Sequence, residues 1–111
     1  MNLSFNNKNI QSKAIRVAVA DDGTEIGHTY IFLITNDLHQ EPYGLLEDLM
    51  VDESQRHNGI GTKLIKQAIL ESKKAGCYKL LATSRYSREN VHRLYEGLGF
   101  KKIGHEFRLD F

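Results

Sequence analysis

A chain of 111 residues has room for one hydrophobic core and too little material for a second, so a single domain over residues 1–111 is expected. Fifteen basic against fourteen acidic side chains leave a formal net charge of +1, which excludes a chain-wide attraction to nucleic acid or to an anionic membrane; any anion site has to be local. The 41% hydrophobic content and single proline suit an ordered globular protein, no apolar run approaches the roughly 20 residues of a membrane span, and the start MNLSFNNKNIQSK lacks the basic-then-apolar order of a secretion signal.

In chain order, the partly alternating, β-branched run Ala14 to Ala20 is followed by the turn-forming DDGTEIG and a second apolar run, TYIFLIT, which together predict a hairpin. NDLHQEPYG reads as the one long polar break, and LLEDLMV after it as a buried third strand. Past QRHNGIG, the positions Ile60, Leu64, Ile65, Ala68, Ile69 and Ser72 recur at helical spacing up to Gly76, placed as a C-terminal glycine. Cys77, alone of its kind, cannot form an internal disulfide; it reads as a packing residue, and a reducing cytoplasm is the expected location. KLLAT predicts a short strand, parallel to the third because a helix joins them. Ser87 is placed to cap a second helix with the apolar face Val91, Leu94, Tyr95 and Leu98, ended by Gly99. The tail FKKIGHEFRLDF alternates like a final strand or pair of strands, with Gly104 as a bulge. The fold class is α/β (α+β): a mixed, mostly antiparallel sheet with two main helices in the C-terminal half.

QRHNGIG stands where a strand gives way to a helix. A helix start offers unpaired N–H groups and a partial positive charge, and glycines there let a phosphate approach the bare backbone. Neither common nucleotide cradle fits, since Leu64 occupies the place of a third fingerprint glycine and the chain reads Gly61, Thr62, Lys63 instead of Gly-Lys-Ser/Thr. On the glycines alone, an ordinary turn opening a helix is equally open.

The combination of Met50 and Val51 ending a strand, Arg56-x-x-Gly59-x-Gly61, a helix, a strand, and a second helix bearing Asn90 and LYEGLGF resembles the GNAT superfamily of acyl-CoA-dependent N-acyltransferases. The resemblance is strong over residues 45 to 111 and rests on strand pattern alone over 14 to 44. It implies acetyl-CoA as co-substrate. The segment Arg56, His57, Asn58, Gly59, Ile60, Gly61 and Thr62 would wrap the pyrophosphate, the backbone of Met50 and Val51 would lie along the pantetheine arm, and Asn90 would be a further polar contact. His57 reads equally as a solvated loop residue, and Arg85, Arg88 and Arg93 as a solvated face or a contact to the nucleotide end. Most members have a strand and two helices before the first hairpin; here only about 13 residues precede it, in which LSF is expected to form at most one short strand. The helices that wall the acceptor pocket are therefore expected to be absent, with a second subunit, an open cleft or a different N-terminal region in their place. A homodimer is expected to cover the exposed apolar surface and strand edges.

Acetyl transfer to an amine requires a neutral amine, a donor for the oxyanion and a proton for the departing thiolate. Tyr95 is the candidate acid, a phenol of reference pKa about 10 facing a thiol of about 8.5; the resemblance implies that role, while helical spacing alone makes it a core aromatic. Glu47 and Asp48 interrupt an apolar strand, and one of them is a candidate base or holds a cationic acceptor, or else pairs with Arg85 or Arg108. Strict alternation puts Glu47 on a face with Leu45, Leu49 and Val51, and Asp48 with Leu46 and Met50. Leu-Glu-Asp also resembles the polyamine acetyltransferase branch, which implies a small cationic amine; a protein N-terminus or lysine is the alternative acceptor. His28, His39, His92 and His105 show no ligand spacing, so no metal site is expected. A non-catalytic acyl-CoA-binding module or partner subunit is the rival reading.

Overall fold

The computed structural model describes residues 1–111, and its elements run β1 (Lys13–Asp21), β2 (Thr24–Asn36), β3 (His39–Val51), a short 3₁₀ turn (Glu53–Gln55), α1 (Ile60–Lys74), β4 (Leu80–Ala82) and α2 (Glu89–Gly97). They form one four-stranded sheet in the order β1-β2-β3-β4, antiparallel except for the parallel β3–β4 pair that α1 connects. β1 and β2 meet through Asp22 and Gly23, both at positive φ, the Asp-Gly pair that a two-residue hairpin turn requires. The second hairpin is tighter than the polar composition of NDLHQEPYG suggests. Asp37 and Leu38 alone make the turn, held by Asn36 Oδ1 accepting from the Leu38 N–H at 2.9 Å, and β3 begins at His39. The expected long break is therefore mostly strand, because an Asx turn reverses the chain in two residues.

The core is thin. Val17, Ile31 and Leu46, one from each long strand, meet Leu64, Ile65 and Ala68 of α1, and Ile31, Ile65 and Ala68 are wholly buried. α1 therefore covers one sheet face with the periodic stripe that the sequence predicts. Ser72 on that stripe is buried too, its hydroxyl donating to the Ala68 carbonyl at 2.7 Å. Gly44 is buried beneath it; a Cβ there would stand 2.9 Å from Leu80 Cδ1, so the close approach of β4 to β3 depends on a missing side chain.

Both helices end in the same hydrogen-bonded cap. After α1, Cys77 N–H donates to Ser72 O and Gly76 N–H to Lys73 O; after α2, Phe100 N–H donates to Tyr95 O and Gly99 N–H to Glu96 O. The start of α2 differs from expectation: Arg88, not Ser87, is at the N-cap position, and no side-chain hydrogen bond caps it. Arg88 N–H instead bonds Arg85 O in a turn that His92 Nε2 also touches, at 2.8 Å from the same oxygen.

The tail does not form the predicted strand or pair of strands. Phe100 packs on the core, but residues 101–111 are exposed and without secondary structure, as are residues 1–12, so neither Gly104 as a bulge nor a strand from LSF is seen. These extended ends give a radius of gyration of 16.7 Å and a length of 61 Å, against about 13 Å for the radius of a compact chain of this size. The alternation of Phe107, Leu109 and Phe111 has strand character but is paired with no strand of the sheet, and an unpaired strand is not stable by itself.

Candidate active site

β3 delivers the chain to the QRHNGIG loop. Asp52 N–H bonds Ile26 O at 2.8 Å, pinning the strand end to β2, and the 3₁₀ turn then redirects the backbone. Arg56 folds back so that its Nε donates to Val51 O at 3.2 Å, which leaves the rest of the guanidinium free. His57 and Gly59 both have positive φ, at 68° and 75°. For Gly59 this is the N-cap position of α1, and the left-handed backbone there turns the following N–H groups outward. The first helical bond runs from Lys63 N–H to Gly59 O, so Ile60, Gly61 and Thr62 N–H have no acceptor in the protein. Nothing lies within 4 Å of where a Cβ would stand on Gly59 or Gly61.

These residues surround a cleft of about 220 Å³, lined by Val51, Arg56, His57, Gly59, Ile60, Gly61 and Thr62. Gln55 and Leu94 line it as well; sequence reasoning did not select them, although Leu94 follows from the α2 stripe that also carries Tyr95. Asn58 belongs to the loop without lining the cleft, and Met50 and Asn90 stand outside it, both exposed. A larger cleft of about 510 Å³ lies between β1 and α1, against Val17, Lys63 and Gln67, and holds none of the predicted site residues.

Strict alternation fails in β3. Tyr30 pairs with Glu47 and His28 with Met50, so β3 uses three steps where β2 uses two, and Asp48 and Leu49 stand opposite Thr29. Asp48 is the bulged residue, at φ 54°, a left-handed conformation costing about 1–3 kcal/mol off glycine. The consequence corrects the face assignment: Leu46 and Leu49 both pack toward α1, while Glu47 lies beside Tyr30 and Asp48 beside His28 on the far face. Both carboxylates share one exposed surface instead of dividing between two. The buried Thr29 hydroxyl stabilises the irregularity, donating to Glu47 O at 3.0 Å.

Neither carboxylate pairs with Arg85 or Arg108. Asp48 Oδ2 is 3.0 Å from His28 Nε2, and Arg108 binds Asp110 instead. Around them the far face carries Arg16, which holds Glu25 with two bonds of 2.7 and 2.8 Å and donates to the Tyr30 hydroxyl at 3.2 Å. That guanidinium keeps the Glu25 carboxyl below the usual range. Phe32 stacks on Tyr30 at 6.2 Å, extending an aromatic strip beside the acidic pair.

Tyr95 is half-buried on α2, three residues before the cap's Leu98. Its carbonyl accepts from Phe100 N–H and its ring packs 5.3 Å from that of Phe100, the apolar contact this cap favours. LYEGLGF is thus a cap that fixes the tyrosine. Burial pushes the phenol pKa up, the Glu47 charge adds to the rise and Arg88 opposes it. The phenol accordingly stays protonated through the neutral range and feels the carboxylate across from it. Burial likewise raises the Cys77 thiol, which suits packing better than nucleophilic attack. No three His, Cys, Asp or Glu side chains converge as metal ligands would.

The sequence model of the Acetyltransferase (GNAT) family matches residues 3–100. The chain is 34% identical over 74 residues to N-alpha-acetyltransferase 30 of Homo sapiens, covering 65% of this chain and 20% of that protein. It is 39% identical over 67 residues to the glucosamine 6-phosphate N-acetyltransferase of Trypanosoma brucei brucei, covering 60% of this chain and 44% of that one. In fold it is similar to a putative acetyltransferase from Agrobacterium tumefaciens str. C58, with a TM-score of 0.82 at 22% identity over 91% of this chain and 71% of that one. The chain thus spans less than half the length of either curated relative.

Proposed function

The chain belongs to the acetyltransferase (GNAT) family, and on that footing we propose that it binds acetyl-CoA and transfers the acetyl group to a primary amine by direct attack within a ternary complex. The observation that carries this reading is the convergence of Arg56 and the unpaired N–H groups of Ile60, Gly61 and Thr62 on one cleft at a helix start, flanked by α2, whose Tyr95 lies within the field of Glu47. The backbone donors and the guanidinium suit a pyrophosphate. Tyr95 supplies the proton for the thiolate, and the acidic pair receives the amine.

A small cationic amine is the acceptor we favour. Glu47 and Asp48 together present negative charge on an open surface, where the neighbouring Tyr30 ring already holds one cation, Arg16, at 5.7 Å from its centre. The two relatives act, by name, on protein N-termini and on glucosamine 6-phosphate, so these and lysine are the competing acceptors. The non-catalytic reading keeps one point in its favour, the exposure of both carboxylates, Glu47 and Asp48, on the far face. We place the protein in the cytoplasm as a homodimer; the free edges of β1 and β4 and the exposed Phe5, Phe107 and Phe111 support a second copy.

Thiol release from acetyl-CoA, measured across polyamines, amino sugars, aminoglycosides and peptides, decides between the readings. Release with a polyamine supports the favoured acceptor, release only with peptides or amino sugars replaces it, and binding of acetyl-CoA without release by any amine supports the non-catalytic module.

A further inference from the structure

We infer that His28, held by Asp48, is the group that takes the proton from the incoming amine. This rests on the acetyl-transfer reading above and adds a residue that sequence spacing does not single out. His28 lies on β2 across from Met50, and its side chain is 21% exposed, sheltered yet reachable from the far face. Nε2 sits 3.0 Å from Asp48 Oδ2, and the ring makes no other hydrogen bond. An Nε2–H donated to that carboxylate leaves Nδ1 as a lone pair with no protein partner. The Tyr30 ring meets the imidazole edge to face at 5.8 Å and limits its rotation. The charged and titratable groups facing it are Asp48 and Glu47 on β3, Glu25 and Tyr30 on β2, and Arg16 on β1, which is already committed to Glu25 and Tyr30.

The second observation is the strain. Asp48 is the one non-glycine residue at positive φ inside a strand; Asp22 and His57 lie in a turn and a loop. An exposed contact between two such side chains returns less than such a conformation costs, so the His28–Asp48 contact does not explain the bulge as a stabilising device. The bulge does explain the dyad, because regular alternation would turn Asp48 away from His28.

In the step, the ammonium gives one proton to Nδ1 and the freed nitrogen forms the C–N bond. The C–S bond then breaks and the thiolate takes the phenolic proton of Tyr95. The nitrogen's second surplus proton and the one on Nδ1 leave to solvent, one proton returns to Tyr95, and one is released per acetyl group transferred, as the overall reaction requires.

The test compares putrescine, whose amines are protonated at neutral pH, with hydroxylamine, which is already neutral and needs no base. Acetyl-CoA is the donor for wild type, His28→Asn, His28→Gln and Asp48→Asn, with acetyl-CoA affinity as the check on folding. Loss of putrescine turnover by about 100-fold or more in the His28 variants, with a much smaller loss for hydroxylamine, is the expected result. Equal losses for both amines, or none, in whichever His28 variant retains acetyl-CoA affinity overturn the dyad while the transfer reading stands. A wild type that releases no thiol with any amine overturns both. Long-range proton–nitrogen correlations of His28 read the tautomer independently, and an Nδ1–H form also overturns the dyad.

Discussion

Replacing Gly61 with alanine separates a scaffold turn from a cradle, because the two roles predict opposite signs. Gly61 has no positive φ, and an added Cβ meets nothing within 4 Å. In the free protein the substitution therefore only removes backbone freedom from the first turn of α1, stabilising the fold by about 0.5–1 kcal/mol and raising the melting temperature by a few degrees. In the complex, the methyl group stands in the cleft where the pyrophosphate would approach the Gly61 and Thr62 N–H groups. Loss of one hydrogen bond to a charged group costs about 1.5–3 kcal/mol, or roughly 10- to 150-fold in affinity. Thermal denaturation with and without coenzyme A, together with calorimetric titration, measures both effects on one sample. A variant that melts higher and binds coenzyme A as tightly as wild type would falsify the cradle.

Three further outcomes follow from the same geometry. Tyr95→Phe keeps the ring contact with Phe100 and should leave stability and acetyl-CoA affinity near wild type, while turnover falls by about 100-fold or more; an undiminished rate removes Tyr95 as the acid. Gly99→Ala, at φ 98°, should cost about 1–2 kcal/mol in chemical denaturation by straining the cap that fixes Tyr95, with no steric contribution since nothing lies near the new methyl group; unchanged stability refutes the cap assignment. The raised Tyr95 phenol makes a contribution that is whole below the ordinary tyrosine value of about 10 and is lost as pH climbs through the raised folded value. Wild type should lose stability faster than Tyr95→Phe across that alkaline window, and parallel curves contradict the shift.

The elements that local chemistry controls were legible in the sequence. Asp22-Gly23 named its turn, the Leu64, Ile65, Ala68, Ser72 stripe named the buried face of α1, and Gly76 and Gly99 named both helix ends. Two of the misreadings share a cause, in that each depended on a partner distant in sequence. The strand pattern of residues 100–111 needs a neighbouring strand to become β structure, and these residues lie against neither free edge of the sheet. Alternation through LLEDLMV assumed an unbroken ladder, but Thr29, a hydroxyl buried on the neighbouring strand, holds a bulge that moves both carboxylates to one face. His28 escaped notice for the same reason, since its partner is 20 residues away and reaches it only through that bulge. Most of the loop residues chosen by spacing line one cleft because a helix start and its glycines are contiguous, whereas Leu94 is brought to it by folding.

Whether the loop holds coenzyme A is tested most directly by titrating isotopically labelled protein with coenzyme A and following the backbone amides. The largest shifts are expected at His57 to Thr62 and at Val51, with Leu94 responding across the cleft. Shifts confined to the separate cleft between β1 and α1, around Val17 and Gln67, would contradict the account.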